Sequence, residues 1–285
     1  MVTFVFPGQG SQKKGMGEGI FDNFTEQLEI ADNFLGYSIK DLCIENPDQK
    51  LNQTEYTQPA LYIINSLMYL ENNEESKNKP DFVAGHSLGE YNALFAAGAF
   101  DFETGLKMVQ KRGELMSQAS TGGMAAIINV EEEIIKNIIK NNGLSTITIA
   151  NYNSPDQIVI SGPKIDIEHA KTVFIKEGIK RYMILNVNGA FHSPFMKNTA
   201  EEFKNFIKDI KFNKLTLPVI SNLTARPYNQ EDIKNHLVNQ ITHPVRWIES
   251  IKYLLSRGEM QFEEIGPGMV LSKLIKRITQ QISNN

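Results

Sequence analysis

One cysteine, one tryptophan and five histidines are all that 285 residues hold of those types. The lone Cys43 can close no intramolecular disulfide and build no thiolate cluster, and at the end of a helical stretch its ordinary role is packing. So few histidines reduce any imidazole chemistry to a choice among His86, His169, His192, His236 and His243. No apolar run is long enough to cross a bilayer. Residues 1–6 lack the basic leader and long apolar run of a secretory signal, so the cytoplasm is the expected location. An excess of one charge is missing too: 29 Lys and Arg stand against 33 Asp and Glu. Neither nucleic acid nor an anionic membrane is therefore expected as a partner. Internal repeats and long low-complexity tracts are absent. What remains is 41% hydrophobic residues, enough for one large domain or two unequal ones.

The stretch that organises the chain is Val83-Ala84-Gly85-His86-Ser87-Leu88-Gly89-Glu90. A short apolar run precedes it and a helical pattern up to Gly98 follows. Strand, Gly-x-Ser-x-Gly, helix is the setting of a nucleophile elbow, in which the serine sits on a strained turn and flanking side chains would clash. An ordinary glycine-containing turn is the bland alternative. Upstream, residues 2–6 read as a buried strand that stops at Pro7-Gly8-Gln9-Gly10-Ser11-Gln12. That loop has neither Walker spacing nor Gly-x-Gly-x-x-Gly, and suits an oxyanion-hole amide.

Residues 23–43 read as helical and 46–57 as loop. Gln58-Pro59 is expected to open a helix whose buried face is Leu61, Ile64, Leu67 and Met68, with a solvated connection over 72–80. A helix over 102–118 carries Arg112 on or beside its apolar stripe. By spacing alone a structural ion pair or a side chain reaching solvent is its default role. A substrate with a free carboxylate would make it a bidentate clamp. Strands at 124–130, 144–151, 157–161 and 181–187 alternate with helices at 131–141 and 166–177. The order βαββαβ is that of a ferredoxin-like unit, and the helices and short strands that follow mark it as an insertion. The expected fold is α/β: a large α/β-hydrolase-like domain of residues 1–122 and 189–285 with an inserted ferredoxin-like subdomain of 123–188, and a ligand crevice between them. After the insertion come helices at 197–210, 233–240, 246–256 and 271–282, with strands at 216–221 and from 262.

Ser87 needs a base within hydrogen-bond reach. His86 is adjacent and points to the other side of the strand. His169 lies on a helix of the insertion, His236 in a polar helix, and His243 before a proline. His192, on a loop at the domain junction between Gly189 and Pro194, is the best candidate, although a loop histidine is ordinarily only solvated.

Taken together, Phe6-Pro7-Gly8-Gln9-Gly10-Ser11-Gln12, Gly85-His86-Ser87-Leu88-Gly89-Glu90, Lys111-Arg112-Gly113, Asn151-Tyr152-Asn153-Ser154-Pro155, Ala190-Phe191-His192-Ser193, Pro244-Val245-Arg246-Trp247 and Glu264-Ile265-Gly266-Pro267-Gly268 resemble the malonyl-CoA:acyl-carrier-protein transacylases over nearly the whole chain. The resemblance implies Ser87 as the acylated nucleophile and His192 as base and then acid. It implies the amides of Gln9 and Leu88 as oxyanion hole, and Arg112 as the holder of the malonyl carboxylate. Phe191 and Asn153 would bind substrate, and the Gln240 backbone carbonyl would orient the histidine. Malonyl-CoA and an acyl carrier protein are the implied partners of a monomer, with neither metal nor cofactor beyond the carrier's 4'-phosphopantetheine.

Phe191 stands where members serving fatty-acid synthesis have serine, which makes the chain similar to free-standing polyketide synthase acyltransferases. A ring there would fill the space needed by an α-methyl branch, a selectivity of about 1–3 kcal/mol. The usual histidine two residues before the catalytic one is replaced by Ala190, preceded by Gly189. Rival readings are a fatty-acid transacylase, an acyl hydrolase of the same fold, a non-catalytic synthase module and an unrelated carboxylesterase. An acidic carrier would meet a basic patch, with Lys176, Lys180 and Arg181 or Lys273, Lys276 and Arg277 as candidates, although an ordinary solvated face is the default for either set.

Overall fold

Phe4 and Phe6 pack into one apolar cluster while Val5, between them, packs into another. That alternation is the period-two signature of a strand buried on both faces. The computed structural model describes residues 1–75, 79–119 and 121–284. In chain order these form β1 (Val2–Phe6), α1 (Thr25–Leu35), α2 (Ile39–Glu45), α3 (Thr54–Glu75), β2 (Phe82–Gly85), α4 (Gly89–Ala96) and α5 (Phe102–Ser117). Next come β3 (Gly122–Ile128), α6 (Glu132–Asn141), β4 (Thr148–Ser154), β5 (Gln157–Pro163), α7 (Lys164–Lys176) and β6 (Tyr182–Ile184). The chain ends with α8 (Lys197–Ile207), β7 (Val219–Ile220), α9 (Ile233–Gln240), α10 (Trp247–Leu255), β8 (Gln261–Glu264) and α11 (Val270–Asn284).

The first sheet has the order β7-β2-β1-β8 and is parallel throughout. Leu61, Ile64, Leu94 and Leu106 from α3, α4 and α5 cover one face. Trp247, Ile251, Leu271 and Ile275 from α10 and α11 cover the other. The second sheet has the order β4-β5-β3-β6 and is antiparallel. Ala125, Ile127, Ile158 and Ile160 face α6 and α7, whereas Met124, Ala126 and Val159 turn to the large cluster. Two backbone hydrogen bonds at 2.9 Å, Tyr152 to Val245 and Val245 to Ala150, fasten β4 to the segment before α10.

Several boundaries differ from expectation. The stretch 23–43 is two helices: Gly36, with φ of 77°, ends α1, and the Ser38 hydroxyl caps α2 by accepting the Asp41 N–H at 3.1 Å. Pro59 does not open its helix. α3 begins at Thr54, and Pro59 lies inside it, because the buried Thr57 and Gln58 draw the preceding turn into the core. The strand expected at 144–151 is Thr148–Ser154, since Leu144 and Ile147 bury in the turn after α6. The strand expected at 216–221 shortens to Val219–Ile220. No helix among the described residues is long and apolar enough to cross a membrane.

Candidate active site

The elbow places Ser87 between β2 and α4 with φ of 51°, a left-handed conformation that a non-glycine residue holds only when its surroundings enforce it. The enforcement is close packing. A Cβ on Gly89 would lie 2.0 Å from the Phe6 carbonyl oxygen, and one on Gly8 would lie 2.3 Å from that of His86. The same Cβ on Gly8 would be 3.5 Å from the Leu88 nitrogen, so the loop after β1 presses on the elbow. Among the described residues, the N–H groups of Gln9 and Leu88 have no intramolecular acceptor. Free N–H groups of this kind are what an oxyanion hole requires.

His192 also has positive φ, 58°, and its Nε2 lies 2.8 Å from Ser87 Oγ. Its Nδ1 is 2.8 Å from the Gln240 carbonyl oxygen. That oxygen can only accept, so Nδ1 carries the proton and Nε2 is left to accept from the serine hydroxyl. Burial, and then the charge of Arg112, pull the His192 pKa down to about 3. The imidazole is neutral and able to take a proton.

Arg112 is 1% exposed, yet its partners are neutral: NH1 donates to Gln58 Oε1 at 2.7 Å, and NH2 donates to Gln240 Oε1 at 2.9 Å and to Ser87 Oγ at 3.2 Å. Among the described residues Nε has no acceptor. Nε and NH2 share the edge of the guanidinium that grips a carboxylate in two parallel bonds. Burial lowers the Arg112 pKa, opposed by Tyr91 and Glu90. Arg112 is thus a desolvated cation beside Ser87 with one unused donor and no carboxylate hydrogen-bonded to it among the described residues.

The other expected residues fall around this centre. Asn153 Oδ1 is 2.8 Å from His86 Nε2, and the His86 ring rests edge-on against Trp247, turned away from Ser87. Phe191 is buried, its ring where a Gly189 side chain would be, and it lines a cavity of about 200 Å³ with Thr54, Met116 and Asn188. A second cleft, about 440 Å³, opens on His192 between Thr148, Ile149, Pro194, Lys197 and Thr242. Of the two basic clusters, Arg277 is paired with Asp156 at 3.3 Å, and both sets are exposed.

Sequence reasoning missed Glu90, Asn222, Tyr228, Gln58 and the side chain of Gln240. Glu90 accepts hydrogen bonds from Gln240 Nε2, from the Asn222 N–H at 2.8 Å and from the Tyr228 hydroxyl at 2.7 Å. The available signal was a charged residue in the first turn of a short helix that otherwise carries no charge. Nothing local announced the others.

A parallel sheet, a serine elbow, a histidine in contact with it and a buried arginine alongside define an α/β enzyme of the serine-acyl class. Comparison with known proteins is more specific. The model of the acyl transferase domain family matches residues 3–285, and the chain belongs to that family. It is 55% identical to the polyketide biosynthesis malonyl CoA-acyl carrier protein transacylase BaeC of Bacillus velezensis, over 99% of this chain and 98% of that protein. Identity is also 55% to PksC of Bacillus subtilis, which bears the same description, over 98% and 97%. The Bacillus subtilis protein called simply malonyl CoA-acyl carrier protein transacylase is 40% identical over 99% and 91%. Among solved structures, a malonyl CoA-acyl carrier protein transacylase of Burkholderia pseudomallei superposes with a TM-score of 0.96 at 48% identity, covering 99% of this chain and 98% of that one. A malonyl-transacylase solved in complex with a type II polyketide acyl carrier protein has a TM-score of 0.92 at 36% identity, covering 98% and 93%.

Proposed function

We propose that this chain is a malonyl-CoA:acyl-carrier-protein transacylase of polyketide biosynthesis, acting in trans and in the cytoplasm. The observation that carries the reading is the buried Arg112, with an unpartnered Nε and with NH2 on the nucleophile oxygen. Simple acyl chains have no use for it, and a malonyl carboxylate completes it. The identities of 55% to two transacylases named for polyketide biosynthesis, against 40% to one without that qualifier, support the pathway.

In the first half-reaction Ser87 Oγ attacks the thioester carbon as its proton passes to His192 Nε2. The Gln9 and Leu88 N–H groups receive the oxyanion, and His192 returns the proton to the departing coenzyme A thiol. The phosphopantetheine thiol then gives its proton to His192 and attacks the ester carbon, and His192 passes that proton to Ser87 Oγ as the ester bond breaks. Gln240 holds the imidazole through its carbonyl, so no aspartate is needed. Pairing of the malonyl carboxylate with Arg112 also removes one of the charges that depress His192, making the base stronger when the right acyl group is bound.

The sheet of β3 to β6, with its order and helices, is read as a ferredoxin-like subdomain over 123–188, set into an α/β-hydrolase-like domain of 1–122 and 189–285. Asn153 and Phe191 are read as substrate-binding residues. No cofactor is required beyond the carrier's own phosphopantetheine.

Intact-protein mass after brief incubation with malonyl-CoA tests the proposal. A malonyl adduct absent from Ser87→Ala and passed to an added holo carrier protein is expected. An adduct that decays to free acid with the carrier present points to the hydrolase instead.

A further inference from the structure

Glu90 is a buried ionisable group that the reaction above leaves unused. It lies in the first turn of α4, just after the nucleophile, and is wholly shielded from solvent. Donors reach its carboxylate from the Asn222 N–H, the Tyr228 hydroxyl and Gln240 Nε2. A carboxylate accepts all of these together, whereas a protonated acid or an amide must turn a hydrogen toward one of them. Because Gln240 presents its N–H2 to Glu90, its Oε1 faces the other way and accepts from Arg112 NH2 at 2.9 Å. The same Nε2 donates to the Ser87 carbonyl at 2.8 Å. Glu90 and the Ser87 carbonyl together hold the N–H2 end, which leaves the oxygen end for the arginine, and of these two acceptors only Glu90 can carry a charge.

We propose that Glu90 is a positioning residue for the carboxylate clamp, its charge holding the Gln240 amide and, through it, the Arg112 guanidinium beside Ser87. The proposal rests on the transacylase reading. With residue 90 neutral, its hold on Gln240 Nε2 weakens to that of an uncharged acceptor, so the Gln240 Oε1 that anchors the guanidinium is less firmly placed. Acyl groups that carry a carboxylate feel this far more than acetyl, which shares only the contacts to Ser87.

Protonation near neutrality should act like substitution. Burial raises the Glu90 pKa to about 7, opposed by the hydrogen bonds of Tyr228, Asn222 and Gln240 and by the charge of Arg112. The other ionisable groups around it are Arg112 from α5, Tyr91 beside it on α4, Tyr228 with His236 of α9 against its ring, and His192 beyond Gln240. Burial keeps both tyrosines protonated, holds His192 near about 3 and draws His236 below its ordinary 6.5.

The test is steady-state malonyl and acetyl transfer from coenzyme A to a holo carrier protein across neutral pH, for wild type, Glu90→Gln, Arg112→Ala and the double variant. In Glu90→Gln the malonyl-CoA KM should rise about tenfold while acetyl parameters stay within about twofold. The wild-type malonyl KM should climb as pH falls below about 7, a limb that the variant lacks. In the Arg112→Ala background Glu90→Gln should not change the malonyl-to-acetyl ratio further. Equal losses for both acyl groups with an unchanged pH profile, as for a residue that only supports the fold, overturn the proposal. If Glu90→Gln does not fold, a wild-type malonyl KM flat through neutrality overturns it alone. A wild type that forms no malonyl ester refutes the transacylase reading instead, and the proposal falls with it.

Discussion

Asn222 brackets Ser87: its Oδ1 accepts the Ser87 N–H at 2.7 Å, and its Nδ2 donates to the Gly85 carbonyl at 2.6 Å. The side chain spans the strained turn and ties it from outside, from a residue 135 positions later in the chain. Replacing Asn222 by Ala strands a buried N–H and a buried carbonyl, a loss of about 2–4 kcal/mol by urea unfolding. Ser87 acylation should slow in parallel. Asn222→Asp should not restore it, because a carboxylate oxygen would then face the Gly85 carbonyl.

Arg112→Lys tests whether the clamp works by charge or by shape. An ammonium keeps the charge and loses the fork. Malonyl loading should fall by about 2–3 kcal/mol in kcat/KM with acetyl loading little changed, because the bidentate edge of Nε and NH2 is what an acyl carboxylate needs. Loading rates for the two thioesters, side by side, settle it.

Phe191→Ser should open the acyl pocket. Methylmalonyl loading relative to malonyl is expected to rise about tenfold, within the 1–3 kcal/mol that a single methyl commands. A ratio of the two loading rates unchanged by the substitution would show that the ring does not face the α-carbon.

Stability should depend on pH through two buried groups with opposite signs. Between 6.5 and about 3 the unfolded chain binds a proton at His192 that the folded chain refuses, so stability falls as pH falls. His86 and His236 are also depressed and add to this. Between 4.5 and about 7 the folded chain binds a proton at Glu90 that the unfolded chain does not, so stability rises as pH falls. The two partly cancel from 6.5 to 4.5, and Glu90→Gln should expose the histidine slope there, up to about 1.4 kcal/mol per pH unit for each histidine that titrates. Urea titrations of both proteins at several pH values read it.

Much of the site was legible because its signals are short in sequence. The elbow needs only a strand, two glycines and a helix, and all of these are local. Arg112 showed itself as a charge on an apolar helical stripe, and His192 emerged by elimination from a small set. Helix boundaries were less legible where a single residue decides them: Gly36 breaks what the apolar spacing would continue, and Thr57 and Gln58 extend α3 because their tertiary surroundings bury them.

The amino-acid sequence by itself determined the strained turn that presents Ser87 and the alternating elements of both sheets, since these follow from periodicity and steric demands within a few residues. Only the tertiary structure decided what holds that serine in place. Glu90 meets Asn222 and Gln240 across 132 and 150 residues of chain. A polar side chain in a buried network is specified by partners that the fold brings together, and such partners have no spacing along the chain to reveal them.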